Sequence, residues 1–142
     1  ALAKNNIPIL GICLGMQLLF ESSEEFGFSA GLGLIEGKIK KIPNKTINDH
    51  KLKIPHTGWN GLTINEKAQH ISLTSSIENN DAVYFIHSYR LVDYNEDIII
   101  AHSEYGDHKI PAIINKENLF GCQFHPEKSG KVGLAILKDF LT

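Results

Sequence analysis

The sequence predicts a single α/β domain, and three features of its apolar pattern support this. Residues Pro8 to Ile12 form a nearly continuous apolar run, as in a strand buried on both faces. Gly15 to Glu25 follow with apolar side chains on one side, as in a helix. The chain ends in a second amphipathic helical pattern, for which Ser129 fits the N-cap. A buried strand that leads directly into a helix favours a parallel, doubly wound sheet over an antiparallel sandwich.

Short strands and turns occupy the middle of the chain. Gly27 to Gly33 predicts a glycine-rich turn, and short strand-like pieces follow from Leu34 to Ile64. Further strands are predicted at Ala82 to Ile86, Ile98 to His102, Ala112 to Asn115 and Phe120 to Phe124. No internal repeat or linker divides the chain, so residues 1–142 are predicted to form one domain. Residues 1–6 have the pattern of a helix tail and lack an initiating Met, so we expect this sequence to be the later part of a longer protein.

The composition excludes several classes of protein. Of the 142 residues, 42% are hydrophobic, which is ordinary for a folded domain and excludes intrinsic disorder. A net charge of −2 leaves no basic excess for nucleic-acid binding, and no apolar run is long enough for a membrane span. Two cysteines without metal-finger spacing exclude a disulfide scaffold. With no secretion signal at the amino end, we expect a cytoplasmic protein.

Cys13 lies between the first strand and the first helix, with glycines two residues to either side. Gly11-Ile12-Cys13-Leu14-Gly15 is the cysteine form of the strained elbow that presents a nucleophile. A sulfur at a helix N-terminus is predicted to favour the thiolate, and the backbone N–H of Leu14 would face the oxygen of a tetrahedral intermediate. Most free cysteines are small buried hydrophobes, and the elbow makes the two interpretations about equal. Cys122 lies within a strand pattern and is predicted to be core.

His125-Pro126-Glu127 follows the last predicted strand. In extended backbone, residues i and i+2 point to the same side, so the Glu127 carboxylate can reach one imidazole nitrogen of His125. This is the base and its orienting group in a nucleophilic triad. Alone, the motif fits a solvated His and Glu at a strand exit equally well. Together with the cysteine elbow it predicts a catalytic site.

The motifs Gly11 to Gln17 and Phe124 to Glu127 resemble those of the class I glutamine amidotransferases. Three further segments, Pro55 to Asn60, Tyr84 to Tyr89 and Glu127 to Ser129, resemble the glutaminase subunits of imidazole glycerol phosphate synthase. The resemblance spans the chain and implies the flavodoxin-like α/β/α sandwich of that family without its first strands. Residues 1–142 would be the later two thirds of one amidotransferase domain.

The resemblance also implies a reaction and its residues. Cys13 would attack the side-chain amide of glutamine, His125 would transfer the proton, and Glu127 would orient His125. The ammonia would pass to a (βα)8-barrel cyclase partner in a heterodimer that makes imidazole glycerol phosphate and an aminoimidazole carboxamide ribotide (AICAR) in histidine biosynthesis. No metal or organic cofactor is implied. The residues implied for the glutamine site are Leu14, Gly15, Gln17, His87, Ser88 and Tyr89, and those for the partner interface are Trp59, Asn60, Tyr84 and Lys128.

Several points stay open at the level of sequence. By spacing alone, His87, Tyr84 and Tyr89 fit core positions, and Trp59 fits either a core or an interface. A Pro-Gly-x-Gly loop that completes the oxyanion hole in the family has no match in residues 1–12. The alternatives are a paralogous subunit that supplies ammonia to a surface sugar, a stand-alone γ-glutamyl cysteine hydrolase, and a non-catalytic binding module.

Overall fold

The computed structural model describes residues 3–142. The strands are β1 (Ile9–Ile12), β2 (Ser22–Ser23), β3 (Ser29–Ala30), β4 (Lys38–Lys41), β5 (His56–Gly61), β6 (Thr63–Ile64), β7 (Ala82–His87), β8 (Tyr89–Val92), β9 (Ile99–Tyr105), β10 (His108–Lys116) and β11 (Leu119–Cys122). The helices are α1 (Leu14–Gln17) and α2 (Gly130–Leu141), with short 3-10 turns at Ala3–Asn5, Glu66–Ala68, Ser72–Thr74, Glu96–Ile98 and Pro126–Lys128. The predicted α/β class is confirmed. No helix of this part of the chain is long and apolar enough to cross a membrane.

The largest sheet has the strand order β1-β11-β10-β9-β6, and only β1 and β11 are parallel in it. The predicted parallel arrangement is therefore correct for this pair of strands and wrong for the other pairs of the largest sheet; in the four-stranded sheet β3-β2-β4-β8, β2 and β4 are also parallel. The reason lies in two-residue turns. Gly106 and Asp107 join β9 to β10 with φ of 57° and 64°, the left-handed pair that closes an antiparallel hairpin. Glu117, with φ of 55°, begins an equally short turn between β10 and β11.

Helix α1 is much shorter than the predicted helix over residues 15–25. The carbonyls of Leu18 and Phe20 accept hydrogen bonds from the backbone N–H groups of Leu32 and Gly33 at 2.8 and 3.0 Å. Carbonyls held in this way cannot continue the helical ladder, so the chain enters β2 instead. A Cβ on Gly31 would lie 2.1 Å from the Phe20 oxygen, so the glycine-rich segment is what allows this close approach.

Packing around β1 and β11 fixes the edge of the sheet where the candidate nucleophile lies. Gly121 of β11 has no room for a Cβ, which would lie 2.3 Å from the Met16 side chain of α1. Helix α1 therefore packs directly on β11, with Met16 fully buried. On another side, β5 and β7 form a two-stranded antiparallel pair in which His56 faces His87 and Trp59 faces Tyr84.

Candidate active site

Cys13 lies at a strained turn between β1 and α1, as the sequence predicts. Its φ of 52° and ψ of −108° belong to a region that residues other than glycine rarely occupy. The turn needs Gly11, because a Cβ there would lie 2.6 Å from the carbonyl oxygen of Gly15. Gly15 differs, since no atom lies within 4 Å of a Cβ built on it. The elbow is therefore confirmed, with Gly11 as the glycine that its packing requires.

The environment of the Cys13 thiol is less favourable to the thiolate than the sequence predicts. Burial raises the pKa of Cys13, and the carboxylates of Glu25 and Glu127 raise it further. Hydrogen bonds from the Leu14 N–H and the Gln123 amide act in the opposite direction but do not cancel the effect. Helix α1 has only four residues, so its N-terminus contributes little beyond the Leu14 N–H. Cys13 is therefore a thiol that needs a base.

His125 and Glu127 form the contact that their spacing predicts. The His125 Nδ1 atom lies 2.6 Å from Oε1 of Glu127, which leaves Nε2 to face outward. The backbone differs from the predicted extended run, because Pro126–Lys128 form a 3-10 turn. Ser129 holds this turn in place: its hydroxyl donates to the His125 carbonyl at 2.6 Å and accepts from the Tyr84 N–H at 3.0 Å. Ser129 is the residue before α2, but its side chain makes no capping hydrogen bond to that helix.

The parallel pair β1–β11 brings Cys13 and His125 to the same edge of the sheet. Ile12 is paired with Cys122, and the Cys13 N–H donates to the Cys122 carbonyl at 2.7 Å. Both chain segments therefore leave the carboxyl ends of adjacent parallel strands, where ligands bind in open α/β sheets. Within residues 3–142 the Cys13 thiol donates to the Ile86 carbonyl at 3.9 Å, and no hydrogen bond joins it to His125.

A pair of buried glutamines lies behind the thiol. Gln17 donates its two amide hydrogens to Gln123 Oε1 at 3.0 Å and to the Tyr89 carbonyl at 3.1 Å. Gln123 in turn lies with Nε2 3.7 Å from the Cys13 sulfur. Both hydrogens of the Gln17 amide are thus used in bonds within the protein. The predicted contact of Gln17 with glutamine stays a prediction. Sequence reasoning missed Gln123, whose only signal is a polar residue in an apolar strand pattern.

The segment predicted to close over the substrate divides into a buried and an accessible part. His87 is 6% exposed, and both its ring nitrogens are used within the protein, by His56 and by the Tyr89 carbonyl. Burial lowers the pKa of His87 to about 4. Ser88 and Tyr89 are half-buried. A ligand would therefore meet Ser88 and Tyr89 before the imidazole of His87.

The residues predicted for a partner interface form an exposed group beside the His125 turn. Trp59 is 57% exposed and packs edge-on against Tyr84, with ring centroids 5.9 Å apart. The Trp59 ring also approaches Gly130, and Lys128 is exposed on the same turn. Asn60 is half-buried, with its amide on the Glu104 carbonyl at 3.1 Å. Trp59 is therefore a surface residue, so its interpretation as core is wrong.

Among residues 3–142, no group of three or more His, Cys, Asp or Glu side chains is arranged to hold a metal ion. The chemistry that the described residues offer is that of a thiol, an imidazole with a carboxylate partner, and backbone N–H donors. These groups suit acyl transfer through a covalent thioester.

The fold and the cysteine elbow define the class to which the chain belongs: it is a member of the glutamine amidotransferase class-I family, whose model matches residues 1–142. Among curated proteins it is similar to the imidazole glycerol phosphate synthase subunit HisH of Lactococcus lactis, with 51% identity over 139 residues. That match covers 98% of this chain and 64% of the relative. The HisH subunit of Geobacillus thermodenitrificans is 45% identical over 138 residues, which are 97% of this chain and 62% of the relative. The chain thus spans less than two thirds of the length of these relatives.

Solved structures of more distant proteins show the same fold. The structure of PurLQS from Thermotoga maritima matches with a TM-score of 0.69 at 20% identity, over 99% of this chain and 63% of that one. The glutaminase domain of Trypanosoma brucei CTPS with bound acivicin matches with a TM-score of 0.64 at 20% identity, over 99% and 62%. The fold of residues 3–142 is therefore that of the class I amidotransferases.

Proposed function

We propose that this chain carries the glutaminase site of an imidazole glycerol phosphate synthase, and that it hydrolyses glutamine to glutamate and ammonia. The observation that carries the proposal is the strained elbow at Cys13. It follows β1, and β1 pairs with β11, the strand that leads to the His125–Glu127 pair. The similarity to HisH subunits supports the particular acceptor chemistry.

The reaction begins with a proton transfer, because burial keeps Cys13 protonated. The Nε2 atom of His125 takes the thiol proton, and Glu127 stabilises the resulting imidazolium through Nδ1. The sulfur attacks the amide carbon of the glutamine side chain and forms a tetrahedral intermediate. The thiol contacts the Ile86 carbonyl rather than Nε2 in this structure, and catalytic hydrogen bonds of this kind commonly tighten only around a ligand.

The intermediate collapses when His125 returns the proton to the leaving nitrogen, which departs as ammonia. The Leu14 N–H, which contacts the sulfur in this structure, donates to the oxyanion. Water activated by His125 then attacks the thioester, releases glutamate and restores the thiol. Atoms and charge balance over the cycle: glutamine and water give glutamate and ammonia.

Electrostatics supports a place for the other end of the substrate. Glu25 is close enough to raise the pKa of the Cys13 thiol, and its carboxylate is half-buried. Glutamine carries an α-ammonium group several bonds from its amide, so Glu25 complements that charge when the amide carbon lies at the sulfur. Ser88 and Tyr89 border the same site, and with Gly15 and Gln17 they complete the proposed pocket.

Ammonia made here passes to a (βα)8-barrel cyclase partner across the surface of Trp59, Asn60, Tyr84 and Lys128. The exposure of Trp59 supports this, because an exposed aromatic residue beside a catalytic turn is typical of an interface anchor. The partner, its acceptor and the heterodimer belong to the proposal together with the glutaminase activity.

The test replaces Cys13 by Ser and measures glutamate release in the presence of the barrel partner. We expect a loss of at least about 10³-fold, because nucleophile and base act as one unit. Cyclase product formed from added ammonium salt should persist, since the acceptor chemistry does not use the thiol. Cys122→Ala is the matched control, because Cys122 is fully buried and pairs with Ile12 in the sheet. Glutamine-dependent activity that survives in Cys13→Ser refutes the proposal.

A further inference from the structure

A continuous chain of polar contacts connects strand β9 with strand β8 through β5 and β7, and we call it the histidine chain. Asn60 Nδ2 donates to the Glu104 carbonyl at 3.1 Å, and Asn60 Oδ1 lies 3.1 Å from His56 Nε2. His56 Nδ1 lies 2.9 Å from His87 Nε2, and His87 Nδ1 lies 2.8 Å from the Tyr89 carbonyl. The two imidazoles are buried, whereas Asn60 reaches the surface.

The histidine chain has too few hydrogens for its contacts. Both ends are backbone carbonyls, of Glu104 and Tyr89, which only accept. Each neutral imidazole has one N–H, and the Asn60 amide offers its NH₂ to one neighbour and its oxygen to the other. Three donors therefore serve four contacts, whichever way the amide of Asn60 faces. One contact must lack a hydrogen, unless the chain takes up a proton.

The surroundings of the two histidines oppose a fourth proton. Burial lowers the pKa of both His56 and His87, and the neighbouring imidazoles of His56 and His125 lower that of His87 further. His56 is stacked between the rings of Phe85 and Tyr105, with centroids 4.6 and 4.1 Å away. Tyr105, from β9, faces the pair by stacking on His56, and His125, from the turn after β11, is close enough to act on His87. Near neutral pH the chain therefore keeps three hydrogens.

The carbonyl of Tyr89 joins this chain to the candidate nucleophile. It accepts a second hydrogen bond, from Gln17 Nε2 at 3.1 Å. Gln17 also donates to Gln123, whose own NH₂ lies against the Cys13 sulfur. Two buried amides therefore connect the Tyr89 carbonyl with the thiol.

We propose that the histidine chain is a two-state positioning device that couples Asn60 to the amides behind Cys13. In the first state Asn60 donates to Glu104, both histidines carry their hydrogen on Nε2, and the Tyr89 carbonyl accepts from Gln17 but not from His87. In the second state Asn60 turns its NH₂ to His56, both histidines carry their hydrogen on Nδ1, and His87 donates to the Tyr89 carbonyl. The contact without a hydrogen is then the one between Asn60 and the Glu104 carbonyl.

The second state is favoured by any partner group that donates a hydrogen bond at Asn60 or at the Glu104 carbonyl. Such a donor replaces the missing hydrogen at the surface end, and the two ends are coupled because they compete for the same hydrogens. The inference rests on the function proposed above only in treating the Cys13 thiol as the nucleophile. It deepens that function by naming the residues through which a bound partner acts on the thiol. His56 and His87 are positioning residues, because they act through Tyr89 and the glutamines.

Side-chain ¹⁵N NMR of the labelled protein tests the two states directly. In the free protein we expect both histidines to be protonated at Nε2, because the Asn60 amide faces Glu104. Asn60→Ala removes the acceptor at His56, so both should change to the Nδ1 form. Thr57→Ala is the matched control, since Thr57 is exposed and points to the opposite face of β5, and it should leave both tautomers unchanged. A backbone fingerprint spectrum checks that each variant is folded.

Two NMR results overturn the inference. One is His87 protonated at Nδ1 with His56 protonated at Nε2, which places the broken contact between the imidazoles and uncouples the ends. The other is a pair of tautomers that does not respond to Asn60→Ala.

Alkylation of Cys13 by iodoacetamide provides the readout at the thiol. We expect Asn60→Ala to accelerate it by about fivefold relative to Thr57→Ala, because Tyr89 then holds Gln17 and keeps the Gln123 N–H on the sulfur. Equal rates in the two variants contradict the coupling. Neither measurement uses glutamine, so the two proposals can fail separately. If the histidine chain changes state as expected but Cys13→Ser still hydrolyses glutamine, only the proposed function is wrong.

Discussion

His87 is the last residue of β7 and His125 lies just after β11, and although both strands end near Cys13, their surroundings give the two histidines opposite chemistry. His125 is partly exposed and lies 2.6 Å from the carboxylate of Glu127, so a positive charge on its ring has a partner. His87 is buried between His56 and a backbone carbonyl, and its pKa is lowered to about 4. The first can accept a proton from a thiol, and the second stays neutral and orients its neighbours. The partner and the exposure of an imidazole, rather than its distance from the site, decide its role.

The largest effect should come from the histidine that has the carboxylate. We expect His125→Asn to lower the rate of glutamine hydrolysis by at least about 10³-fold. The loss in Glu127→Gln should be about one tenth as large, because an orienting group is partly replaceable. Glutamate release by each variant is the measurement. The double variant Cys13→Ala/His125→Asn should be little worse than either single variant. Losses that multiply would show that the two residues act independently.

The buried histidine should affect stability against acid. The ordinary pKa of 6.5 applies in the unfolded chain and about 4 in the folded protein, so the unfolded state binds the proton first as the pH falls. The contribution of His87 is therefore complete above pH 6.5 and decreases toward pH 4, by about 3 kcal/mol in the free energy of unfolding. Urea unfolding across this range should show a smaller pH dependence in His87→Gln than in the unchanged protein.

The control for that experiment is His50→Gln, which removes an exposed imidazole outside the histidine chain. It should keep the pH dependence of the unchanged protein. If the His87→Gln and His50→Gln curves are parallel, burial of His87 does not oppose its protonation, and the contrast between the two histidines is lost.

The glycines of the elbow offer a comparison within one motif. Gly11→Ala should destabilise the protein by about 2 kcal/mol, because its Cβ would overlap the carbonyl of Gly15. Gly15→Ala should be neutral or stabilise by about 0.5 kcal/mol, since it adds a methyl group in open space on a helix. Thermal or urea unfolding of the two variants measures the difference. Similar values for both would mean that the elbow tolerates a side chain at either glycine.

The smallest effect concerns the surface end of β5. Trp59→Ala should reduce the ratio of glutaminase rates with and without the barrel partner by about fivefold, or about 1 kcal/mol, because it removes an exposed aromatic anchor. Leu134→Ala, which removes an exposed apolar side chain from α2, is the control and should preserve the ratio. A ratio unchanged by Trp59→Ala would place the partner elsewhere.

Much of the candidate site could be predicted because its determinants are local. The glycines around Cys13 are within two residues of it, and a short segment brings Glu127 to His125, so the elbow and the His125–Glu127 contact follow from a few neighbouring residues. The length of α1 could not be predicted from its own apolar pattern. The residues after Gly31, which are distant along the chain, donate hydrogen bonds to the carbonyls of Leu18 and Phe20 and so end the helix. The sheet was only partly predictable, because the apolar pattern of a strand does not show whether it runs parallel or antiparallel to its neighbour. The turn at Gly106-Asp107 makes β9 and β10 antiparallel.

By itself, the sequence determined the α/β class, the strained turn at Cys13 and the pairing of His125 with Glu127, since each depends on backbone geometry over a few residues. Only the tertiary structure decided what surrounds them. Gln17 and Gln123 are 106 residues apart and meet because β1 and β11 pair in parallel, and His56 meets His87 because β5 and β7 are in register. Burial then decides the protonation of each group, and burial is set by packing from the whole chain rather than by any residue's neighbours in sequence.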